Sequence, residues 1–228
     1  MKLYLVGVSF ILALGVRAQT LQDTISTDDR YLEDQFYLGI TYNFLLQQPE
    51  DVTQRSLSYG LQAGFIKDIP LNRTRTTGLG IGLGYGVYSY YSNLVASETA
   101  NGIEYEVDGG GANFNRNKLE THMLEMPIQF RWRTSTATEY RFYRIYAGVK
   151  LAYLLGARSK LVTDQFKDSF FNTDVRKFQY GLALNLGYHS FNIHAYYMLN
   201  NLFNDGVQVN DQDIGLRPLR IGFIFYIL

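Results

Sequence analysis

Apolar side chains recur at every second position through most of the chain after residue 34. In 78–92, for example, Leu79, Ile81 and Leu83 alternate with Gly80 and Gly82. A side-chain period of two is the geometry of a β-strand, whereas a helical face would repeat every 3.6 residues. The pattern therefore predicts eight strands, over residues 35–45, 56–68, 78–92, 118–133, 143–158, 178–188, 191–199 and 219–227.

The two faces of these strands differ in a way that indicates a membrane barrel. The apolar face is unbroken over about ten residues, which a tilted strand needs to cross a bilayer, while strands of soluble proteins are nearer five or six. In a membrane barrel the polar face lines the lumen. We expect the lumen charges to be Glu125, Arg131, Arg133, Arg144, Lys150 and Arg158. The alternative is a secreted, lipocalin-like soluble barrel with its apolar face inward.

The connections between the predicted strands alternate between long and short. Those after strands one, three, five and seven cover residues 47–55, 93–117, 159–175 and 200–215. Those after strands two, four and six are shorter, at 69–77, 134–138 and around Ser190. Outer-membrane barrels join their strands by short periplasmic turns and long external loops. The pattern predicts an all-β, antiparallel, up-and-down barrel with both termini in the periplasm and the long loops outside.

Residues 1–18 have the three parts of a secretory signal peptide. Lys2 gives a positive n-region, residues 3–14 are apolar, and residues 15–18 (GVRA) resemble a signal peptidase site. We place cleavage after Ala18, which leaves a periplasmic segment at 19–34 and the barrel at 35–228. The apolar run is shorter than the roughly 20 residues of a transmembrane helix. The alternative for this segment is an N-terminal core helix.

Composition argues against several classes of function. The chain has 21 basic and 21 acidic residues, so its charge gives no electrostatic basis for binding nucleic acid. It has no cysteine, and its three histidines show no pair at metal-ligand spacing, so we expect no metal and no cofactor. Asp205, Asp211 and Asp213 are a weak candidate for calcium, against the alternative of a solvated acidic loop.

One group of residues is a candidate for nucleophilic catalysis, since some membrane barrels are enzymes. Glu120 and His122 lie two apart on one strand face, and Ser89 or Ser92 on a neighbouring strand would complete a triad. These residue types are common enough to meet by chance. We therefore expect the protein not to be an enzyme.

The lumen of an eight-stranded barrel is just wide enough for its own side chains. The glycines at 78, 80, 82, 84 and 86 share one strand face, where they make room for large partners such as Tyr88, Tyr146 and the arginines. Nucleotide-binding glycine loops open a helix, so these glycines do not indicate a phosphate site. We predict a lumen filled by side chains, with no sizeable open channel.

The last strand carries a further signal. Residues 220–227 (RIGFIFYI) resemble the β-signal by which the barrel-assembly machinery recognises its substrates, and they lie at the chain's end, where that signal belongs. Its residues are Arg220, Gly222, Phe225 and Ile227. We expect that machinery to be a partner during biogenesis, and outer-membrane lipid and lipopolysaccharide to surround the folded protein.

Signal peptide, alternating strands and aromatic last strand together resemble the PorT-like family of outer-membrane β-barrels. Residues 119–133 (LETHMLEMPIQFRWR) look especially like the central strand of such proteins. The resemblance covers the mature chain and implies an architecture, without catalytic motifs to carry over. The founding member of that family is associated with type IX protein secretion, but no motif in this chain can be tied to that role.

Three functions are compatible with this sequence. The first is a structural or interaction barrel, an accessory of an envelope or protein-secretion complex. The second is a lipid- or small-molecule-handling barrel, including an enzyme of outer-leaflet lipid or a narrow porin. The third is the soluble lipocalin-like barrel. The connection 92–117, with Glu98, Glu104, Glu106 and Asp108 and three consecutive glycines at 109–111, is the expected functional surface, and its composition predicts a mobile loop.

Overall fold

The computed structural model describes residues 35–100, 102–109, 114–134, 143–188 and 191–227. The predicted signal peptide (1–18) and the predicted periplasmic segment (19–34) lie outside these residues, as do His189 and Ser190. No helix in the described ranges is long and apolar enough to cross a membrane.

The described residues form β-strands in the following order. The strands are β1 (Gln35–Leu46), β2 (Tyr59–Pro70), β3 (Thr77–Tyr91), β4 (Leu94–Thr99), β5 (Gly102–Val107), β6 (Phe114–Arg133), β7 (Tyr143–Thr163), β8 (Lys167–Phe171), β9 (Phe178–Tyr188), β10 (Phe191–Met198), β11 (Gln208–Val209), β12 (Gln212–Asp213) and β13 (Arg217–Ile227).

Eight of these strands close an antiparallel barrel, as the alternating pattern predicts. The order around the barrel is β1-β2-β3-β6-β7-β9-β10-β13. Closure comes from β13, which pairs with β1 from Phe36 opposite Ile227 to Leu46 opposite Arg217. The all-β, eight-stranded fold predicted from the sequence is confirmed, and every long barrel strand has two neighbours for its backbone hydrogen bonds.

The apolar face of the barrel wall points outward. On β1, Phe36, Leu38 and Ile40 are exposed by 62%, 52% and 50%, whereas Tyr37 between them is exposed by only 2%. On β7 the same exposed alternation runs from Tyr143 to Leu155. With a rise of about 3.3 Å per residue and a tilt of about 40°, that stretch covers roughly 30 Å, the thickness of a bilayer's hydrocarbon core. We call it the lipid belt.

Aromatic rings mark both edges of the lipid belt. Tyr143 and Tyr188 stack at one edge, with ring centroids 4.8 Å apart. At the other edge Tyr153 pairs with Phe178, whose ring lies 6.2 Å from that of Tyr180. Such girdles are typical of membrane barrels, because aromatic rings favour the boundary between hydrocarbon and water.

The connections divide between the two ends of the barrel by length. Four long ones, at 47–58, 92–113, 164–177 and 199–216, lie at the end where β1 finishes, which we call the long-connection end. At the opposite end, which we call the short-turn end, β2 leads to β3, β6 to β7 and β9 to β10 across the shorter gaps 71–76, 134–142 and 189–190. The predicted alternation of connection length is confirmed.

A β-bulge interrupts the pairing of β6 with β7 near the long-connection end. His122 pairs with Gly156 and Met123 with Leu154, so Leu155 has no partner. One extra residue reverses which face the following side chains occupy. The prediction of Arg158 as a lumen charge is therefore wrong: Arg158 is exposed, and its guanidinium donates to Ser169 Oγ of β8 at 2.9 Å.

Candidate functional site in the barrel interior and at its long-connection end

Toward the short-turn end, one carboxylate holds two arginines inside the barrel. Asp68 accepts from Arg131 at 3.1 Å and from Arg133 at 2.7 Å, and all three side chains are fully buried. Arg131 also donates to Gln35 at 3.1 Å. Buried charges are tolerated where each faces an opposite charge or a hydrogen-bond partner. We call this group the lower charge network.

Two tyrosines cover the remaining face of Arg131. Its guanidinium lies 4.4 Å from the ring centre of Tyr146 and 5.5 Å from that of Tyr226. The two rings meet edge to face, with centroids 5.7 Å apart. An aromatic face attracts a cation most when both are shielded from water, so the stack adds to the ion pairs.

A second carboxylate organises the middle of the barrel. Glu125 accepts from Lys150 at 3.1 Å and from the Tyr88 hydroxyl at 2.6 Å, and none of these side chains reaches solvent appreciably. Lys150 also donates to Gln62 across the lumen at 2.6 Å. These contacts join β2, β3, β6 and β7 through their side chains, in addition to the backbone pairing of the wall.

Arg220 completes this group from the last strand, and we call the whole the middle charge network. Its guanidinium lies 3.4 Å from the ring centre of Tyr88 and 3.7 Å from a Glu125 oxygen. It donates to the hydroxyl of Tyr90 at 3.2 and 2.9 Å. The sequence predicts Arg220 only as part of the assembly signal. The contacts of Arg220 add a structural role in the lumen.

The other residues of the predicted assembly signal occupy different surroundings. Gly222 pairs with Thr41 of β1 and His194 of β10, and a Cβ there would meet backbone atoms of β1. Phe225 and Ile227 point outward in the lipid belt and are exposed. The structure thus places the four residues on the closing strand, and their recognition by assembly machinery stays a prediction.

Small residues of β3 make room for the large interior side chains. A Cβ at Gly84 would lie 2.0 Å from the Tyr37 hydroxyl, and one at Gly86 would lie 2.7 Å from the Tyr88 ring. At Gly80 the nearest atom is Arg131 Nε, at 2.7 Å. Tyr88 and an arginine are the predicted occupants, while Tyr37 at Gly84 was not anticipated.

Five of the six predicted lumen charges lie buried inside the barrel, namely Glu125, Arg131, Arg133, Arg144 and Lys150. Sequence reasoning missed Asp68, which it placed at the end of a strand without assigning a role. A further interior contact joins His194 and Asn185, whose side chains hydrogen-bond at 2.6 Å on the polar face of their strands. Strand parity was the available signal, because Asp68 lies on the same face as Gln62 and Ile66.

At the long-connection end the interior changes from charged to apolar. A cluster of buried side chains, which we call the apolar cap, fills this end. It joins the barrel wall (Leu45, Tyr90, Met123, Ala152) to residues from the connections: Val52, Leu94, Val175, Leu202, Phe203, Val209, Ile214 and Leu216. A cavity of about 20 Å³ remains inside it, enough for about one water molecule.

The connection 92–113 contributes a β-hairpin, β4 with β5, instead of a wholly irregular loop. Tyr105 anchors the hairpin: its hydroxyl lies 3.2 Å from Asn172 Oδ1 and 3.1 Å from Asp174 Oδ2, and its ring packs edge to face on Phe203. Burial is the main reason that the pKa of this hydroxyl is raised. Glu98, Glu104 and Glu106 remain exposed on the hairpin.

The candidate catalytic residues Ser89, Glu120 and His122 contact one another, but their order of contacts differs from that of a catalytic triad. Ser89 Oγ is 3.4 Å from Glu120 Oε2, and His122 Nε2 is 3.5 Å from Glu120 Oε1. The carboxylate therefore stands between serine and histidine, where a triad needs the imidazole beside the nucleophile. His122 Nδ1 is held by the Tyr85 hydroxyl, and Ser89 is fully buried. Ser92, the other candidate, lies at the margin of the apolar cap.

Two of the three acidic residues proposed as a calcium site in the last long connection contact other side chains, and Asp211 is exposed. Asp205 pairs with Arg176, and Asp213 accepts from Gln208 at 2.9 Å. Among the described residues, no group of three or more His, Asp or Glu side chains is arranged to hold a metal ion.

Comparisons with known proteins place the chain in a family. A family model described as "Outer membrane protein beta-barrel domain" matches residues 17–204. A search of curated proteins gives no match. Among solved structures the chain is similar to Ail, the attachment invasion locus protein of Yersinia pestis, with 12% identity, a TM-score of 0.37, and coverage of 85% of this chain and 97% of Ail. The family match covers most of the sequence, and the chain therefore belongs to the outer membrane protein beta-barrel domain family.

Proposed function

We propose that this protein is a closed outer-membrane barrel that acts as a structural or interaction protein through its long-connection end. The observation that carries the proposal is the filled interior. The lower charge network, the middle charge network and the apolar cap follow one another along the barrel axis, and their side chains are buried. A lumen occupied in this way leaves the outer wall and the connections as the surfaces for function.

The partner that we propose is a protein of an envelope or protein-secretion complex, of which this chain is an accessory subunit. The secretion complex is suggested only by the founding member of the PorT-like family, whose central strand residues 119–133 resemble, and by no motif of this chain. The β4–β5 hairpin supports a docking surface, because three glutamates are exposed on an element that Tyr105 anchors to the neighbouring connection. We also propose export by a signal peptide cleaved after Ala18, with the termini in the periplasm.

Co-purification after extraction in a mild detergent tests this proposal. We expect a partner protein to accompany the native chain and to be lost from the variant Glu104→Gln/Glu106→Gln. The matched control is Asp211→Asn/Asp213→Asn, which removes two exposed carboxylates from another connection at the same end. A chain that stays solitary in every preparation, or equal loss from both variants, would contradict the proposed interface.

We further propose that the protein does not catalyse a reaction on lipid. The order of contacts Ser89–Glu120–His122 supports this, since the His122 imidazole is separated from Ser89 by the carboxylate and cannot take the serine proton directly. We expect the lipid A profile of a deletion strain to equal that of its parent. A deletion strain whose lipid A has gained or lost an acyl chain or a phosphate would favour the lipid-modifying alternative.

A further inference from the structure

Above the lipid belt, three strands continue outward as an extension of the barrel wall. The bulge at Leu155 marks its start, and beyond it β7 pairs with β6 on one side and with β8 on the other. The register aligns outward side chains in rows: Glu120–Arg158–Phe171, then Lys118–Lys160–Ser169, then Arg116–Val162–Lys167. Five cations and one carboxylate therefore share this outer face.

We call the five cations Arg116, Lys118, Arg158, Lys160 and Lys167 the basic patch. With Ser169 and Glu120, four of them line an open groove of about 160 Å³. The Glu120 carboxylate already forms an ion pair with Lys118. Asp168 is no partner for the patch on this face, because it pairs in register with Leu161 and so points to the opposite side of the extension. The groove is left with a surplus of positive charge.

This arrangement is unfavourable without an anion. Lys118 lies directly opposite Lys160 across two antiparallel strands, and like charges at such positions destabilise a sheet. The pKa of Lys160, which lies above the lipid belt, is lowered, chiefly by the positive charge of Lys167 and further by Lys118, Arg116 and Arg158. A bound anion would relieve this repulsion.

The height of the basic patch indicates which anion it meets. Arg158 follows Leu155, the last exposed apolar residue of β7, by three residues, which is about 10 Å along the strand and, at a tilt of about 40°, about 8 Å above the lipid belt. The headgroup layer on each side of a bilayer is roughly 5–8 Å thick. Phe171, exposed by 74%, lies in the row with Arg158, as an aromatic ring at headgroup level would. Arg158 thus lies at the outer margin of the headgroup layer, and the long side chains of Lys160 and Lys167, in the rows above it, can bend toward that layer.

We propose that the basic patch binds the phosphate groups of an outer-leaflet glycolipid, with Arg158, Lys160 and Lys167 as principal contacts. This site is separate from the hairpin of the proposed interaction surface. It rests on the proposed orientation, in which the long connections face outward. The planar guanidinium group of Arg158 can donate hydrogen bonds to two phosphate oxygens at once, and its hydrogen bond to Ser169 holds it over the groove.

Native mass spectrometry of the full chain in detergent, with defined lipids added, tests this site. We expect retention of bis-phosphorylated lipid A, and little retention of dephosphorylated lipid A or phosphatidylglycerol. The variant Arg158→Gln/Lys160→Gln should weaken retention about 30-fold, at roughly fivefold per cation lost. Lys177→Gln, which removes an exposed lysine outside the patch, should leave retention unchanged.

A folding control, a conservative variant and an inorganic phosphate control complete this test. Because both changed residues lie on the outer wall, the double variant should keep the heat-modifiable gel mobility of a folded barrel, and Lys160→Arg should retain lipid A. Equal retention of phosphorylated and dephosphorylated lipid A, or of phosphatidylglycerol, would overturn the proposal. So would inorganic phosphate that binds as tightly as lipid A, since the ligand would then be a soluble anion.

Discussion

The two halves of the barrel interior are filled by different chemistry. Toward the short-turn end Asp68 pairs with buried cations, and in the middle Glu125 does the same. Tyrosine rings pack against the guanidinium groups of Arg131 and Arg220. At the long-connection end the interior is filled instead by the apolar cap, which consists mainly of leucines, valines and Phe203. The charged half is made of strand residues, whereas the cap draws most of its residues from connections. The lipid belt surrounds the charged half, so that half must satisfy its polar groups internally.

This difference makes the charged half sensitive to the loss of one charge and the cap sensitive to the loss of volume. A buried ion pair contributes little net free energy, but removing one partner leaves an uncompensated charge in a medium of low polarity. An apolar cluster loses transfer free energy and gains a cavity when a side chain is shortened. The following substitutions separate these two kinds of dependence.

The largest effect is expected for Glu125→Gln. The change leaves Lys150 and Arg220 without the carboxylate that faces both, and the free energy of unfolding should fall by about 3–5 kcal/mol. Urea unfolding in lipid vesicles, followed by gel mobility, measures it. The control Glu104→Gln removes an exposed carboxylate and should change stability by less than about 0.5 kcal/mol. A loss below about 1 kcal/mol for Glu125→Gln would show that the middle charge network is not interdependent.

Next in size is the effect of Leu202→Ala in the apolar cap. Leu202 is 1% exposed and packs among cap residues, so its truncation should cost about 3 kcal/mol. The same vesicle-based unfolding measures this loss, with Leu71→Ala, an exposed leucine in a short turn, as the control. If both variants unfold at the same urea concentration as the wild type, the cap is not a packed core.

The smallest effect is expected for Tyr105→Phe. It removes only the hydroxyl that contacts Asn172 and Asp174, a loss of about 1 kcal/mol, while the ring can still pack on Phe203. Hydrogen exchange should become faster for the β4–β5 amides and stay unchanged in the barrel strands. Tyr153→Phe, on the exposed outer wall, is the control. Uniformly faster exchange throughout the barrel would mean that the hairpin is not a separate unit.

The comparison also shows what a sequence can reveal about such a protein. Alternation predicts the barrel strands because each membrane-facing residue must be apolar while its neighbour faces the lumen. It fails beyond the lipid belt: β6 begins at Phe114 instead of 118, and β7 ends at Thr163 instead of 158. There the outer face no longer meets hydrocarbon and carries charges such as Lys118 and Lys160, so the apolar period is lost.

The parts that were missed depend on contacts between distant residues. The bulge at Leu155 leaves no mark in the sequence of β7, yet it moves Arg158 from the lumen face to the outer wall. The cap residues Leu202 and Ile214 belong to a connection without periodicity, and only the fold brings them together with Val52. Pairing partners inside the lumen, such as Asp68 with Arg131, likewise follow from barrel closure.

Conductance in planar lipid bilayers tests most directly whether the lumen is closed. We expect no stable conductance steps from the purified single chain, inserted as a folded barrel, because two charge networks and the apolar cap occupy its interior in series. Reproducible steps on the nanosiemens scale from the wild-type chain would contradict it and favour a porin.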